Sequence, residues 1–581
     1  MKSKKQKAAP KPAAAPAAAQ APTPSLKTWH AALGLAAALG AAMLVYGPAL
    51  NGPFVFDDIY LPFFSPRFAE APLPVAIHGT RPFLLFSFWI NSKLAGAEPF
   101  LYHWFNVLFH VLNAFLVFLI ARRLFEWSGC EGRPKEWLAA FAGALFLLHP
   151  VQTEAVSYVT SRSENLSVLF LLSAAAIFVY RKRTAVSWPV VLAILILYAA
   201  AASTKEHTVV LPAVLLLIDY FWNPGFSFSG IRRNWRLYVP IAIGAALAVA
   251  YVFDILRQAV TAGFGMKELP WNHYFYTQWR VLWIYIRLFL FPAGQNADWA
   301  HGTVRSPLDP MALAGLIGLI GLVGAALWHR KRYPVASFGI LCALLLFAPT
   351  SSVVPIEDVV AERRMYLPML GLSLAAAELL RIWRARPGVR AGAAAAVLVL
   401  LGAACYNRNQ VWSSDRLLWE DVLKKSPWNA RARGHLGVAY YKEGRCQEAA
   451  AQFEALAKGQ RPEARSFVNW ALALDCLGRP EEAIAKLQEA IAITPDSNVY
   501  AQLAMLYGKQ GKAEEAYQAI EKALELDPRN DMAYFYRGNL RSLQGDYARA
   551  AEDYRQALAV NPDNEPARRG LARVLGRSKG P

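Results

Sequence analysis

Eleven apolar runs divide the first 406 residues of the chain, and most of them are long enough for a helix to cross a bilayer. A backbone in lipid must satisfy its own hydrogen bonds, so the runs predict α-helices. Over all 581 residues, 55% are hydrophobic and only 18% are charged, a balance typical of membrane proteins. The runs lie at 29–50, 101–121, 137–149, 166–180, 187–203, 208–222, 237–256, 309–328, 334–349, 365–380 and 390–406.

Lysine and arginine cluster in alternate loops between these runs. Because basic residues concentrate on the cytoplasmic side of short loops, the pattern assigns a side to each loop. It also accounts for the formal net charge of +19 by topology, without a nucleic-acid partner. The basic loops contain Arg122, Arg123, Arg133, Lys135, Arg181, Lys182, Arg183, Arg232, Arg233, Arg236, Arg330, Lys331, Arg332, Arg384, Arg386 and Arg390.

The segment from Trp279 to Phe291 is also apolar, but Arg280 and Arg287 interrupt it. Counting it as a crossing would place the later basic loops outside, so we interpret it as an interfacial or re-entrant helix. Residues 1–28 form an Ala/Pro tract with lysines and no acidic residue, which predicts a disordered cytoplasmic tail. An odd number of crossings then places the C-terminus outside, in the periplasm of a bacterium or the lumen of a eukaryote.

Beyond about residue 427 the composition changes to a charged, alanine-rich sequence with an internal period. Gly444, Gly478, Gly511 and Gly545 are separated by 34, 33 and 34 residues. This period is the signature of tetratricopeptide (TPR) repeats, in which small residues let paired helices approach closely. The sequence therefore predicts an α-solenoid of about four repeats.

The two halves are joined without a Gly/Pro-rich linker, so we expect a helical connector at 407–427 that keeps them close. The membrane domain then spans 29–406 and the TPR domain 428–581. Cys446 and Cys476 fall in adjacent repeats and can pair in an oxidising compartment.

Two carboxylates, Asp57 and Asp58, stand side by side just beyond the first run, in the predicted outer loop 51–100. A carboxylate pair can supply a general base and a neighbour that orients it. The alternative is a solvated turn or a helix cap.

A polar stripe follows the second run, where His103, Asn106, His110 and Asn113 recur at spacings of 3, 4 and 3 residues. This spacing places them on one face of a helix, which must meet protein or water within a membrane. The stripe predicts either hydrogen bonds that join helices or the lining of a substrate cavity.

Further ionisable residues collect at the other predicted outer ends of the runs, where they are costly and so point to function. Arginine and lysine there suit a phosphate group, the alternative being ordinary ion pairs with Glu164 or Glu362. The sequence shows no phosphate-binding glycine loop and no Cys/His metal cluster, so we expect no metal and no cofactor. The residues are His149, Glu154, Arg162, Glu164, Lys205, Glu206, His207, Glu357, Asp358, Glu362, Arg363, Arg364 and Tyr366.

Six segments carry a resemblance to a known family. In chain order they are FVFDD, GTRPFLLFSFWIN, YHWFNVLFHVLNA, HPVQTEAVSYVTSRSENL, TKEH and AERRMYLP. With the C-terminal repeats, the chain resembles the eukaryotic transmembrane-and-TPR protein O-mannosyltransferases and their bacterial relatives, glycosyltransferases of the GT-C class, from about Asn51 to the last repeat. It departs from them at His207, where relatives often carry glutamine.

The resemblance implies a GT-C helical bundle with an outer catalytic cavity and a polyprenyl-phosphate sugar donor. In that family an acidic pair of the first outer loop is essential, and we assign Asp57 as the general base and Asp58 as its orienting neighbour. We expect transfer of a sugar, mannose in the family, to Ser or Thr hydroxyls of translocated proteins held by the TPR groove. The location is a multi-pass inner membrane with the N-terminus cytoplasmic and the TPR domain periplasmic.

The remaining candidates divide into two groups. Donor phosphate binding is assigned to Arg81, Arg162, Lys205, Arg363 and Arg364. Cavity lining is assigned to His103, Asn106, His110, His149, Glu154, Glu164, Glu206, Glu362 and Tyr366. Two alternatives stay open: a non-enzymatic TPR scaffold for an envelope or secretion complex, and a glycosyltransferase that acts on a lipid or an envelope glycan.

Overall fold

The computed structural model describes residues 28–181, 185–259, 261–459 and 463–577. Within these ranges the chain is helical, and the only strand-like feature is one bridge between Ala262 and Ile356. The predicted all-α class is therefore confirmed. The predicted N-terminal tail lies outside the described residues, apart from Thr28.

In the described part of the membrane domain, outside the first outer loop, the chain forms twelve helices of 12 or more residues. Eleven of them coincide with the predicted apolar runs, and α8 coincides with the predicted interfacial segment. Their bounds are α1 Thr28–Tyr46, α2 Pro99–Trp127, α3 Gly132–Leu148, α4 Arg162–Val179, α5 Trp188–Ala202, α6 Leu211–Trp222, α7 Trp235–Gln258, α8 Trp271–Leu290, α9 Pro310–His329, α10 Pro334–Phe347, α11 Met369–Ile382 and α12 Pro387–Val411.

Six helices in the described part of the chain are long and apolar enough to cross a membrane by length and composition. They correspond to α1, α2, α4, α7, α9 and α12. Helices α5 and α10 are apolar but shorter. The total of eleven crossings remains a prediction.

The segments at the ends of the helices fall into two groups. Each contact described next joins two members of the same group. We call the loops at 51–98, 149–161, 203–210, 291–309 and 348–368 the outer loops. Outer loops meet through Arg81 and Glu206 (3.0 Å) and through the side chain of Asp58 and the amide of Thr160 (2.7 Å). On the basic side, Arg122 contacts Glu136 at 2.9 Å. The side of the membrane on which each group lies remains a prediction.

Helix α8 has both ends among the outer loops. Near its start, the Tyr274 hydroxyl donates to the carbonyl oxygen of Thr350 at 2.6 Å. Near its end, His149 Nε2 donates to the carbonyl oxygen of Phe289 at 2.9 Å. The helix therefore runs along one face of the bundle, which supports the interfacial interpretation and fits its interruption by two arginines.

Helices α10 and α11 touch backbone to backbone at a pair of glycines. A Cβ at Gly339 would lie 2.5 Å from the carbonyl oxygen of Gly371, and a Cβ at Gly371 would lie 2.3 Å from that of Gly339. Ala343 and Ala375 continue the contact one turn later on each helix. Small residues spaced by four positions are a common way for membrane helices to approach closely.

The mutation Gly339→Ala should therefore destabilise the membrane domain. The added methyl group overlaps backbone atoms, which cannot move aside as a flexible side chain would, and we expect a loss of about 1–3 kcal/mol. Gly321→Ala on α9 is the matched control, because nothing lies within 4 Å of a Cβ there. Thermal unfolding in detergent measures both variants, and equal melting temperatures would contradict the close contact.

Four helix pairs and one further helix form the TPR domain. Each of the four periodic glycines follows the first helix of a pair in the left-handed conformation, with φ between 71° and 83°, where glycine is favoured. Cys446 and Cys476 form a disulfide with Cα atoms 6.0 Å apart. After the connector α13 Asp415–Lys425, the helices are α14 Ala430–Lys442, α15 Cys446–Ala457, α16 Ala464–Cys476, α17 Pro480–Ile493, α18 Ser497–Lys509, α19 Ala513–Leu526, α20 Asp531–Leu543, α21 Tyr547–Val560 and α22 Glu565–Arg577.

The TPR domain is docked on the outer loops through the start of α14. Arg431 forms a bidentate pair with Asp298 (2.8 and 2.5 Å) and also contacts Asp358 at 2.9 Å. Asn296 donates to the hydroxyl of Ser426 at 3.0 Å. Asp298 is nearly buried, so an unpaired charge there would be costly and the contact holds the first repeat in place.

Candidate active site

The two neighbouring aspartates of the first outer loop occupy opposite environments. Asp58 is fully buried, and its carboxylate accepts hydrogen bonds from the amide of Thr160 (2.7 Å), the hydroxyl of Thr160 (2.6 Å) and the amide of Val55 (3.1 Å). The side chain of Asp57 is exposed, and its carboxylate has no hydrogen-bond or ion-pair partner among the described residues. Its backbone N–H donates to the Tyr158 hydroxyl at 3.1 Å. Asp58 thus fixes the loop, and the neighbouring carboxylate of Asp57 stays open to solvent.

Burial raises the pKa of Asp58 to about 7, against the opposing effect of hydrogen bonds from Thr160 and Val55. An acid whose pKa is raised by folding contributes stability that is fully present below its unfolded pKa. That stability is lost as the pH rises through the folded value. Because of the Asp58 carboxyl, the stability of the fold therefore falls as the pH rises from about 4 to about 7.

The variant Asp58→Asn should remove this pH dependence. Relative to wild type it should gain stability between pH 5 and pH 7, at roughly 1.4 kcal/mol per pH unit at most. Thermal unfolding of both proteins at pH 5, 6, 7 and 8 measures the difference. Asp57→Asn serves as the control and should show no such trend, because the Asp57 carboxyl is exposed. A constant gap between wild type and Asp58→Asn would contradict the raised pKa.

The hydroxyl of Tyr158 is close to both aspartates and to the guanidinium of Arg363. Burial raises the pKa of its hydroxyl, the charges of Asp58 and Asp57 raise it further, and Arg363 opposes them. These charges therefore act on one hydroxyl, which also accepts a hydrogen bond from the backbone N–H of Asp57 at 3.1 Å.

We call Arg363, Glu154 and Asp358 the Arg363 cluster. The Arg363 guanidinium contacts Glu154 at 2.5 Å and Asp358 at 2.8 Å, and a quarter of the side chain remains exposed. Burial alone would raise the pKa of Asp358, but Arg363 and Arg431 hold it well below the usual range. Asp358 therefore stays ionised, and through Arg431 it connects the cluster directly to the docked TPR domain.

A second charged group, which we call the Lys205 cluster, contains Arg81, Glu206, Lys205, Glu164 and His207. Arg81 binds Glu206 through two hydrogen bonds of 3.0 Å, and Lys205 contacts Glu164 at 3.0 Å. His207 Nε2 lies 3.4 Å from Glu164. Arg81 and Lys205 are 34% and 20% exposed, so both cations can also reach a ligand.

Two of the predicted phosphate-binding arginines are used inside the protein instead. Arg162 is fully buried, and its guanidinium donates to the side chains of Asn106 (2.8 Å) and Asn91 (2.5 Å) and to the carbonyl oxygen of Tyr102 (2.8 Å). Arg364 is also buried and donates to Tyr274 and to two backbone carbonyl oxygens. This geometry corrects both assignments, because neither guanidinium is free to meet a phosphate.

The polar stripe on α2 forms hydrogen bonds with other segments of the membrane domain. The Tyr366 hydroxyl lies 2.9 Å from His110 Nδ1 and accepts a hydrogen bond from Asn113 at 3.0 Å. His103 Nε2 contacts the carbonyl oxygen of Gly52 at 3.2 Å. All of these side chains, and that of Asn106, are buried, and their hydrogen bonds tie α2 to the outer loops, where the sequence had predicted the lining of a cavity.

His149 and Glu362 also lie inside the packing of the outer loops. His149 accepts from the amide of Val151 at 3.2 Å and packs against Phe289. Glu362 is buried and accepts from Gln295 (2.7 Å), and burial raises the pKa of its carboxyl to about 7. Of the predicted lining residues, only Glu154, Glu164 and Glu206 belong to the charged clusters.

The residue before Asp57 forms a contact that sequence reasoning missed. Phe56 has a φ of +51°, which is rare for a bulky side chain and marks a strained position. Its ring lies 4.6 Å from that of Trp419 on the connector and 5.5 Å from that of Tyr158. His435 of the first repeat stacks on Trp419 at 4.4 Å. We call Phe56, Trp419 and His435 the aromatic clamp. The sequence gives no sign of this contact, because one phenylalanine in an apolar segment is typical of ordinary core packing.

Sequence models of the tetratricopeptide repeat match residues 416–465, 435–498, 497–530 and 532–564. The C-terminal block is therefore a TPR solenoid, as its period predicted. The crystal structure of MamA is 24% identical and covers 25% of this chain and 85% of that protein, with a TM-score of 0.23. A score this low adds nothing to the comparison.

Similarity to whole proteins extends through both domains. Mouse protein O-mannosyl-transferase TMTC3 is 26% identical over 552 residues, which cover 83% of this chain and 57% of the relative. The human protein of the same name is 24% identical over 551 residues, covering 83% of this chain and 58% of the relative. The chain is similar to the transmembrane-and-TPR protein O-mannosyltransferases. It spans a little more than half the length of these curated relatives.

Proposed function

We propose that this chain is a membrane glycosyltransferase that moves a sugar, mannose by the name of its relatives, from a polyprenyl-phosphate donor to Ser or Thr hydroxyls of proteins. The observation that carries the proposal is the exposed carboxylate of Asp57, which has no partner among the described residues. Its backbone N–H is held on the Tyr158 hydroxyl, beside the buried and hydrogen-bonded Asp58. A helical bundle that only anchors a TPR scaffold in the membrane needs neither a free carboxylate nor clusters of charged residues. These features therefore weigh against the scaffold alternative.

Asp57 acts as the general base in this reaction. Its carboxylate takes the proton of the acceptor hydroxyl as the hydroxyl oxygen bonds to the anomeric carbon. The bond between that carbon and the donor phosphate oxygen breaks, and the electron pair leaves with the lipid phosphate. Attack from the side opposite the leaving group inverts the anomeric configuration.

The leaving phosphate needs positive charge that is already in place. Arg363, Arg81 and Lys205 are the candidates, because each is ion-paired yet partly exposed. A phosphate can replace one carboxylate partner of a guanidinium in the same bidentate geometry. This support comes from three of the five residues assigned from the sequence, since Arg162 and Arg364 are buried and occupied.

The TPR domain holds the acceptor in this scheme. Its first repeat contacts the Arg363 cluster through Arg431, and its His435 stacks on Trp419 of the connector, which contacts Phe56 of the Asp57 loop. A chain segment lying along the solenoid therefore reaches the reacting carboxylate without crossing a linker. Extended concave surfaces are the usual binding surfaces of such repeats.

We infer that the outer loops and the TPR domain face an oxidising compartment, a bacterial periplasm or a lumen. The Cys446–Cys476 disulfide supports this placement, because disulfides persist in such compartments. In intact cells, a membrane-impermeant maleimide should label these two cysteines only after reduction with a membrane-impermeant reductant. Cys446→Ser/Cys476→Ser is the control and should lose that labelling. Labelling that needs no reductant, or that needs permeabilised cells, would contradict the placement.

The proposed function is tested by glycopeptide analysis of cells with and without the chain. We expect hexose on Ser or Thr of exported proteins that disappears when the chain is removed and returns with the wild-type sequence. Hexose that returns equally with Asp57→Asn would contradict the proposal. Loss of a lipid-linked or envelope glycan, with protein sugars unchanged, would favour the alternative acceptor.

A further inference from the structure

Helix α8 presents two different faces to its surroundings. One face contacts the outer loops, where Gln278 donates to the carbonyl oxygen of Val359 (3.2 Å) and Tyr285 accepts from the amide of Ala361 (3.1 Å). Arg280 and Arg287 are two turns apart, and at 100° per residue they share a face on the far side of the helix from these contacts. That far side is turned away from the proposed transfer site.

The two arginines line a cavity of about 430 Å³ between α8 and the start of α9. Its floor is closely packed, because a Cβ at Gly315 would lie 2.4 Å from the carbonyl oxygen of Trp279. The Trp283 indole N–H donates to the Gly315 carbonyl oxygen at 2.8 Å. The cavity is therefore a fixed feature of the α8–α9 contact and not a gap between mobile side chains.

The cavity holds positive charge with nothing to balance it. Arg280 has no hydrogen-bond or ion-pair partner among the described residues, and Arg287 donates only to the carbonyl oxygen of Ala293 at 2.9 Å. The lining includes no aspartate or glutamate from the described part of the chain. His301 also lines it, and its buried Nε2 has no hydrogen-bond partner among the described residues. Burial lowers the pKa of His301, and the charge of Arg280 lowers it further.

An apolar surface continues from the cavity along α9. Met311 at its rim is 67% exposed, and Ile317, about 60° round the helix from the lining residue Ala314, is 61% exposed. Such a surface on a candidate membrane span faces acyl chains. The site therefore joins unpaired cations to a hydrocarbon-facing wall, at a helix whose ends both lie among the outer loops.

We propose that Arg280, Arg287 and His301 bind the phosphate headgroup of an anionic glycerophospholipid in the outer leaflet, with its acyl chains along α9. Guanidinium groups are well matched to phosphate oxygens, and a neutral imidazole N–H adds one more donor. The bound lipid holds α8 against the membrane surface and so supports the loops packed on its other face. The site is independent of sugar transfer, and its test needs no donor or acceptor.

The test uses the delipidated full chain in detergent, titrated with short-chain phosphatidylglycerol and followed by native mass spectrometry. We expect one saturable site, and binding about tenfold weaker in Arg280→Gln/Arg287→Gln, the loss typical of removed charge-assisted hydrogen bonds. Inorganic phosphate and short-chain phosphatidylcholine should also bind about tenfold more weakly, because one lacks the apolar contacts and the other lacks net charge. Arg330→Gln/Arg332→Gln, in a basic loop on the other side, is the matched control and should bind as the wild type does.

Three results would overturn the proposal. Equal binding by the wild type and Arg280→Gln/Arg287→Gln would remove the site. Equal loss in the control variant would show unspecific attraction to basic residues. Inorganic phosphate binding as tightly as the lipid would assign the cavity to a soluble anion. Melting temperatures without lipid check that the variants fold. If the double variant does not fold, the test is repeated with Arg280→Gln alone, which removes no hydrogen bond or ion pair among the described residues.

Discussion

Asparagine in place of Asp57 should lower kcat for sugar transfer by about 10²–10⁴-fold, the range expected for loss of a general base. Asparagine keeps the size of the side chain but cannot accept the proton of the acceptor hydroxyl at neutral pH. The carboxylate has no partner in the described structure, so the melting temperature should stay that of the wild type. Single-turnover transfer from a polyprenyl-phosphate sugar measures the chemical step separately from binding.

Glu357→Gln is the matched control for this experiment. Glu357 is another exposed carboxylate of the outer loops, and its removal changes the local charge by the same amount. It should transfer sugar at nearly the wild-type rate. Activity of Asp57→Asn within tenfold of wild type, or equal inactivation by Glu357→Gln, would exclude Asp57 as the base.

Removing the Phe56 ring should lower kcat by about 10- to 100-fold, because small displacements of a catalytic group cost rates of this size. In Phe56→Ala the loop loses its contacts with Trp419 and Tyr158, and with them the reason to keep a positive φ before Asp57. The donor KM should be nearly unchanged, since the cationic clusters are not altered. Phe56→Tyr keeps the ring and should recover most of the activity.

A double-mutant cycle separates positioning from general destabilisation. Trp419→Ala removes the other side of the same contact, so combining it with Phe56→Ala should add little further loss of kcat. Phe64→Ala is the control, because Phe64 is an exposed aromatic of the same loop that does not touch the connector. Additive losses, or equal loss in Phe64→Ala, would show that the aromatic clamp does not position Asp57.

The helices were predictable because each depends on a local pattern. The apolar runs required helices in lipid, and every run coincides with one. The TPR period was equally readable, since a glycine such as Gly444 is favoured after the first helix of each pair by its positive φ. The interruption of α8 by Arg280 and Arg287 also indicated its path along the surface.

The site was only partly predictable, because partners distant in the sequence decide what a polar residue does. Arg162 looked like a phosphate ligand, yet the amides of Asn91 and Asn106 satisfy it in the interior. Asp57 and Asp58 are alike in the sequence and differ because only Asp58 meets Thr160. The aromatic clamp depends on Phe56 meeting Trp419 across two domains, and no local pattern encodes that contact.

The most direct measurement is transfer of radiolabelled mannose from polyprenyl-phosphate mannose by the purified full chain in liposomes, with an unfolded Ser/Thr-rich polypeptide as acceptor. The account predicts label in the polypeptide that mild alkaline β-elimination releases, and none with Asp57→Asn at equal protein. Label found only in lipid or glycan, or no transfer from any polyprenyl-phosphate sugar, would contradict it.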